Sequence, residues 1–190
     1  MKRKHAWLFV AVGAAVIAAA AYLLACGAVQ RTDGGRGLLP IGAQAPALSG
    51  SDQGGVRRTV ADARGGYLLV FFYPKDNTPG CTTEACALRD AWDKLQAEKL
   101  TIYGVSSDDQ ASHAKFATEH RLPFPLIADP DHVWSKAFGV ATILGMTERA
   151  SFLIGPRGKV AHVFPDVDPA LHLTDVLAAL RAARGGIPPT

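Results

Sequence analysis

The sequence predicts an α/β domain with a central mixed sheet flanked by helices, and two observations support this. Short, continuously apolar segments alternate along the chain with longer segments whose apolar residues recur at helical spacing. The last two apolar segments are instead joined by a short Gly/Pro turn, which predicts an antiparallel hairpin. With 190 residues, 48% of them hydrophobic, the chain can form one such domain and a small appendage.

The first predicted elements of the domain are a buried strand and an amphipathic helix. Residues 67–73 are continuously apolar or aromatic, as expected of a strand covered on both faces of a sheet, and Pro74 ends it. The helix extends from about residue 82 to residue 97. Its apolar positions recur at helical spacing and are Ala85, Leu88, Trp92 and Leu95.

The remaining elements follow in the order strand, helix, strand, helix, hairpin, helix. They are predicted at residues 101–106, 110–120, 125–128, 131–138, 150–154 paired with 160–164, and 169–183. Gly185 and Gly186 end the last helix. This order is typical of a thioredoxin-like α/β sandwich.

Charge and cysteine content exclude several classes of function. Lys2, Arg3 and Lys4 account for the formal net charge of +3, so the rest of the chain is neutral and has no basic stripe for nucleic acid. Three cysteines are too few for a disulfide scaffold or a structural zinc site. We therefore expect no metal, cofactor or nucleic-acid partner.

The first residues are predicted to form a membrane anchor or a lipoprotein signal. No charged residue occurs from residue 6 to residue 29, and a helix of that length would measure about 36 Å, enough for a hydrocarbon core of about 30 Å. The basic residues before it predict a cytoplasmic N-terminus and a domain on the extracytoplasmic, periplasmic side. We expect either a retained anchor or lipidation at Cys26, because residues 23–26 resemble a bacterial lipobox.

The predicted domain organisation has four parts. Residues 1–29 form the anchor or lipoprotein signal. Residues 30–40 contain glycines and no periodicity, which predicts a flexible tether. Residues 41–184 form the folded domain, and residues 185–190 are a tail.

Cys81 occupies the most informative position in the chain. It stands where a buried strand gives way, through a loop rich in Pro and Gly, to the first turn of a helix. Unpaired backbone N–H groups and the positive end of the helix dipole favour a thiolate there, and a thiolate is the nucleophilic form of cysteine. Thr78, three residues earlier, can bring its hydroxyl beside the sulfur.

The segment from Phe71 to Cys86 resembles the active-site region of the peroxiredoxins, in particular the bacterioferritin-comigratory or Q-type branch. The family pattern of Pro, three residues, Thr or Ser, two residues and Cys is met by Pro74, Thr78 and Cys81. Residues 75–82 match the branch nearly letter for letter. The resemblance extends from about residue 41 to the last helix, so it covers the domain and not the predicted anchor.

This resemblance implies a thiol-dependent peroxidase that reduces hydrogen peroxide and organic hydroperoxides. Cys81 would attack the peroxide and become a sulfenic acid, while Thr78 would hydrogen-bond the thiolate and the peroxide. Pro74 would shield the sulfenic acid. Arg149, at the start of a late strand, would stabilise the thiolate and the charge that develops on the peroxide oxygens. Cys86 would resolve the sulfenic acid as a disulfide, which a thioredoxin-like protein would reduce. The branch is often monomeric.

The spacing of Cys81 and Cys86 adds a conformational prediction. Five residues along an ideal helix place the two Cα atoms roughly 8 to 9 Å apart, whereas a disulfide needs less than about 7 Å. The first turn must therefore unwind before the bond can form. Two other interpretations use the same cysteines: a thiol redox sensor that relays oxidation to a partner, and a structural disulfide in an exported domain. Glu84 is expected to serve the helix dipole and solubility.

Overall fold

The computed structural model describes residues 29–185, whose centre is a five-stranded mixed sheet. The strands are β1 (Ser49–Ser51), β2 (Arg57–Thr59), β3 (Tyr67–Phe72), β4 (Leu100–Ser106), β5 (Leu126–Ala128), β6 (Thr142–Ile143), β7 (Met146–Thr147), β8 (Ala150–Ile154) and β9 (Val160–Phe164). The helices are α1 (Pro79–Asp90), α2 (Trp92–Ala97), α3 (Gln110–His120), α4 (Val133–Phe138) and α5 (His172–Gly185), with a 3-10 turn at Val60–Ala63.

The sheet has the strand order β5-β4-β3-β8-β9. Strands β3, β4 and β5 are parallel, β8 pairs antiparallel with β3, and β9 pairs antiparallel with β8. The β1–β2 and β6–β7 pairs form separate two-stranded hairpins. The predicted thioredoxin-like α/β fold with a central mixed sheet is therefore confirmed.

Strand β3 lies at the centre of the sheet because both of its faces are apolar. Leu69, Phe71 and Tyr73 belong to the core beneath α1, α2, α3 and α5. Leu68 and Phe72 point to the opposite core, which α4 and the segments before β3 complete. A strand buried on both faces needs a continuous apolar run, and this explains why the run at the start of the domain marks the middle of the sheet.

The bounds of β8, β9 and α3 agree with the predicted ones, whereas the first helix differs from its prediction. It begins at Pro79 and not near residue 82, because Thr78 has the extended conformation of an N-cap and Pro79 is suited to the first helical position. The predicted single helix is also divided at Ala91, where α1 ends and α2 begins. Both cysteines of the motif therefore lie within α1.

Residues 30–40, predicted to be a flexible tether, lie against the domain. Leu39 is buried, and its N–H donates to the carbonyl of Phe138 over 2.9 Å. The Arg31 guanidinium donates to the carbonyl of Gly37 over 2.9 Å, which closes the segment on itself. These contacts differ from the expected free linker. The division of the chain into four parts stays a prediction.

Residues 1–28 and 186–190 lie outside the described part of the chain. The predicted anchor or lipoprotein signal, the lipidation site Cys26 and most of the predicted tail fall there. Between residues 29 and 185, no helix is long and apolar enough to cross a membrane.

Candidate active site

Cys81 is the third residue of α1 and is almost completely buried, with 1% of its surface exposed. The first backbone hydrogen bond of the helix runs from the Thr82 N–H to the Thr78 carbonyl over 2.9 Å. The N–H groups of Gly80 and Cys81 therefore precede the hydrogen-bonded ladder and give this end of the helix its partial positive charge. Cys81 and Cys86 are both free thiols in an intact α1, the arrangement predicted for the reduced form.

Arg149 reaches the sulfur of Cys81 because of the register of the sheet. Phe72, the last residue of β3, is opposite Ala150, the first residue of β8. Arg149 directly precedes β8 and so lies beside the loop that leads from β3 to Cys81. Its Nη2 is 2.9 Å from Cys81 Sγ. The predicted proximity of Arg149 and Cys81 is present.

Glu84 is a buried partner of Arg149 and not the surface carboxylate expected from the sequence. It lies one turn after Cys81 on the same face of α1, with its side chain completely buried. Arg149 Nη1 donates to Glu84 Oε2 over 2.5 Å. The guanidinium therefore bridges the sulfur and the carboxylate with its two terminal nitrogens, a geometry that Lys does not offer.

His172 completes this group from the start of α5. Its Nδ1 is 2.8 Å from Glu84 Oε1, close enough for an ion pair, but the two groups are not oriented to form a hydrogen bond. Within residues 29–185, neither ring nitrogen of His172 makes a hydrogen bond, although the residue is buried. We call Cys81, Glu84, Arg149 and His172 the cysteine cluster. Sequence reasoning did not select His172, since nothing in the pattern of α5 distinguishes it.

Thr78 and Pro74 lie in the loop between β3 and α1. The Thr78 hydroxyl donates to the Lys75 carbonyl over 3.0 Å, so its proton is directed to the loop and not to the sulfur. Pro74 is half-buried and directly follows Tyr73 at the end of the sheet. Both residues are thus close to Cys81 in the sequence. The Thr78 hydroxyl donates its hydrogen bond to the loop and not to the Cys81 sulfur.

Gly80 leaves the space that Arg149 occupies. A Cβ atom at residue 80 would lie 3.0 Å from Arg149 Nη2, the same nitrogen that contacts Cys81 Sγ. That distance is shorter than ordinary van der Waals contact between carbon and nitrogen. The absence of a side chain at this position therefore permits the contact between guanidinium and sulfur.

A second buried polar group holds the loop from the other side, and we call it the anchor cluster: Tyr73, Asp76, Ser112 and His113. The Asp76 carboxylate accepts hydrogen bonds from the Tyr73 hydroxyl over 2.8 Å and from the Ser112 hydroxyl over 2.7 Å. His113 Nδ1 is 2.9 Å from Asp76 Oδ2, and its Nε2 is 3.3 Å from the carbonyl of Ile127. Asp76 lies between Pro74 and Thr78, so these bonds fix the loop that precedes Cys81.

The charges of the anchor cluster follow from burial and pairing. Burial raises the pKa of Asp76, but the hydrogen bond and charge of His113, together with the two hydroxyl donors, outweigh it and lower the pKa overall. Burial, with the nearby Asp76 carboxylate as a second cause, raises the pKa of Tyr73 well above its usual value. Asp76 is therefore an ionised carboxylate at neutral pH and Tyr73 a neutral hydroxyl donor.

Comparison with known proteins identifies the family. A model of the AhpC/TSA family matches residues 41–163. The chain belongs to this family. It is 36% identical over 151 residues to Peroxiredoxin Bcp of Bacillus subtilis and 39% identical over 150 residues to that of Escherichia coli K12. Each match covers 75% of this chain and 96% of the relative. The chain is thus a peroxiredoxin, a thiol-dependent peroxidase, as its motif predicted.

Solved structures of peroxiredoxins share the fold described above. Peroxidoxin BcpB of Mycobacterium tuberculosis superposes with a TM-score of 0.71 at 31% identity, covering 76% of this chain and 97% of that one. A bacterioferritin comigratory protein of Xanthomonas campestris superposes with a TM-score of 0.68 at 36% identity, covering 71% and 90%. The resemblance to the bacterioferritin-comigratory branch is therefore confirmed.

The same matches correct the predicted location. The relatives align over 96% of their own length with three-quarters of this chain, so they leave almost nothing to correspond to residues 1–29. The predicted membrane-anchored, extracytoplasmic location is therefore wrong. It relied on the uncharged residues 6–29, the basic residues before them and the lipobox-like residues 23–26, and such patterns make a segment a candidate membrane anchor or lipoprotein signal without identifying a membrane.

Proposed function

We propose that Cys81 is the thiolate that attacks hydrogen peroxide and organic hydroperoxides. The observation that carries this proposal is the 2.9 Å contact between Arg149 Nη2 and Cys81 Sγ at the first turn of α1. A permanent positive charge and the start of a helix both favour the thiolate over the thiol. The Xanthomonas campestris relative, whose structural study concerns alkyl peroxide reduction, supports including organic hydroperoxides.

The first step transfers one oxygen atom to the sulfur. The thiolate electron pair of Cys81 forms an S–O bond with the terminal peroxide oxygen, and the O–O bond breaks. The sulfur is oxidised to a sulfenic acid, and the peroxide is reduced to an alkoxide or hydroxide that takes up a proton from water. Arg149 already points at the reacting sulfur, so its N–H groups can stabilise the negative charge that develops on the two oxygens.

The roles of the loop residues follow from the same step. The Thr78 hydroxyl, which donates to the Lys75 carbonyl in the reduced protein, exchanges this bond for one to the incoming peroxide in the proposed step. Pro74, half-buried after the end of β3, is assigned the role of limiting the access of water and further oxidant to the sulfenic acid. Both residues act on Cys81 from the loop that the anchor cluster fixes.

Cys86 completes the cycle as the resolving cysteine. Its thiol attacks the sulfenic sulfur of Cys81, the S–O bond breaks, and an S–S bond forms with the release of water. Because both residues lie in one regular helix, with Cα atoms roughly 8 to 9 Å apart by ideal geometry, the first turns of α1 must unwind first. A dithiol reductant of the thioredoxin type then reduces this disulfide by thiol–disulfide exchange, which returns Cys81 and Cys86 to thiols.

The experiment measures peroxide consumption by the full chain, supplied with thioredoxin, thioredoxin reductase and NADPH. Cys81→Ser is expected to abolish consumption. Cys86→Ser is expected to allow one turnover per protein molecule and then stop, since the sulfenic acid is not converted to a disulfide. Cys26→Ser is the matched control, because it removes the third thiol and is expected to behave as the unmodified chain.

Two results would overturn the proposal. Peroxide consumption that survives in Cys81→Ser would assign the chemistry to another group. A Cys86→Ser protein that turns over repeatedly with thioredoxin would show that resolution needs no second cysteine in the chain. A chain whose cysteines oxidise without sustained turnover would instead support a thiol redox sensor.

A further inference from the structure

We propose that His172 is a positioning residue of the peroxidase site, which keeps the Arg149 guanidinium on the sulfur by occupying one oxygen of Glu84. The inference rests on the proposed function of Cys81 and Arg149. The observation behind it is a buried chain of contacts from His172 Nδ1 to Glu84 Oε1, from Glu84 Oε2 to Arg149 Nη1, and from Arg149 Nη2 to Cys81 Sγ.

Competition for the guanidinium explains why the second oxygen of Glu84 matters. A carboxylate and a guanidinium favour a bidentate pair in which both terminal nitrogens serve the carboxylate. Such a pair would take Nη2 of Arg149 away from Cys81. Oε1 faces His172 over 2.8 Å, Arg149 Nη1 bonds Oε2, and Nη2 contacts the sulfur.

The surroundings hold the His172 ring in place. Its backbone N–H donates to the Asp168 carbonyl over 2.9 Å at the start of α5. The imidazole lies edge-on to Phe71 of β3 and Phe164 of β9, with ring centroids 6.3 and 5.7 Å apart. Aromatic walls on two sides leave rotation about the Cβ–Cγ bond as the freedom that can bring Nδ1 into line with the Glu84 carboxylate.

His172 also lines a groove of about 490 Å³ between β9 and α5, although both of its ring nitrogens are buried. The charged and titratable groups around the imidazole are Glu84 from α1, Arg149 behind it, Asp175 on α5, His162 on β9, and Asp166 and Asp168 on the segment before α5. Strand β3 contributes the ring of Phe71.

The test compares three variants in the full chain that also carries Cys86→Ser, so that oxidation stops at the sulfenic acid. His172→Phe keeps the ring volume and removes both nitrogens. His172→Asn places an amide donor close to the position of Nδ1. His162→Phe is the matched control, because His162 lines the same groove and packs on Phe164.

Two rates are measured for each variant: oxidation of Cys81 by hydrogen peroxide in rapid mixing, and alkylation by iodoacetamide as a function of pH. His172→Phe is expected to slow oxidation about 10- to 100-fold, the effect of a small displacement of a catalytic group. The midpoint of its alkylation profile is expected to move to higher pH, because the thiolate loses its contact with Nη2. His172→Asn is expected to recover most of both losses, and His162→Phe to match the parent chain.

Parent-like oxidation and alkylation in a folded His172→Phe protein would overturn the inference. A parent chain that is itself inert to peroxide would instead overturn the proposed function, while the alkylation profiles still decide the role of His172. If His172→Phe does not fold, nitrogen NMR of the unaltered histidines decides. The His172 ring signals are expected to shift when Cys81 is oxidised and those of His162 to stay, and an unresponsive His172 would overturn the inference.

Discussion

Two buried carboxylates hold the segment around Cys81, Asp76 in the loop between β3 and α1 and Glu84 in α1, and each faces a buried histidine. In the anchor cluster, Asp76 receives hydrogen bonds from two hydroxyls and from His113. In the cysteine cluster, Glu84 Oε1 and both ring nitrogens of His172 lack hydrogen bonds within residues 29–185. A pair of carboxylate and histidine is therefore fully hydrogen-bonded before Cys81 and incompletely hydrogen-bonded after it.

This difference in hydrogen bonding matches the different roles of the anchor cluster and the cysteine cluster. A fully bonded buried network resists rearrangement, because breaking it leaves several polar groups unpaired at once. The anchor cluster can hold the loop through every step of the cycle. The cysteine cluster is carried by the first turns of α1, which have to unwind in the proposed disulfide step. Fewer hydrogen bonds there mean a smaller loss when Glu84 leaves its place.

The largest expected effect comes from Arg149→Met. Loss of the guanidinium is expected to slow peroxide reduction about 100- to 1000-fold, as for removal of a donor to a developing oxyanion. It also removes the hydrogen-bonded, charged partner of the buried Glu84 carboxylate, which lowers the free energy of unfolding by about 3 to 5 kcal/mol. Adding Glu84→Gln is expected to restore most of the stability and none of the rate. Urea unfolding and rapid mixing measure the two quantities, and a rate that recovered with stability would contradict this separation.

Asp76→Asn is expected to affect stability more than the rate of peroxide reduction. The free energy of unfolding should fall by about 3 kcal/mol, because an amide cannot accept all the donors that now meet the carboxylate. Peroxide reduction should fall less than tenfold, since Asp76 does not contact the sulfur. Asp109→Asn is a matched control: Asp109 caps α3 from an exposed position, and Asn caps a helix about as well as Asp, so little loss of stability is expected. Equal losses in the two variants would show that the buried hydrogen bonds of Asp76 add no stability of their own.

The smallest effect is a pH dependence of the anchor cluster. The folded pKa of Asp76 is lowered from its ordinary value of 3.8, because pairing with His113 and the hydroxyl donors outweighs burial. The stabilisation is therefore complete above the unfolded value and is lost as the pH falls through the folded pKa. The stability difference between the parent chain and Asp76→Asn should be constant near neutral pH and shrink in urea titrations below about pH 4. A difference that grew on acidification would show that the carboxylate is not the ionised partner of His113.

The fold was readable from the sequence where burial imposes a pattern. Strand β3 was predicted because a strand covered on both faces must be apolar throughout, and the β8–β9 hairpin because a Gly/Pro turn joins its strands. The β6–β7 hairpin was not predicted, since two-residue strands have no periodicity to detect. The start of α1 was placed too late because its capping residue, Thr78, was interpreted only as a chemical group.

The candidate site was readable in part. The motif around Cys81 and the position of Arg149 before a strand predicted two residues that the structure brings together. Glu84 was expected at the surface, since burial of a single helical residue depends on what packs over it, here α5. His172 and His113 meet their carboxylates through tertiary contacts between distant segments, and a sequence without aligned relatives contains no local signal for such contacts.

At Gly80, helix stability and the position of the Arg149 guanidinium favour different residues. In a helix, alanine is favoured over glycine by about 1 kcal/mol, so selection for a more stable domain favours an added methyl group at this position. The same methyl group would lie 3.0 Å from Arg149 Nη2, so the guanidinium that contacts the sulfur would have to give way by a few tenths of an ångström. Glycine at residue 80 therefore leaves the helix below its best stability at the point where the guanidinium passes.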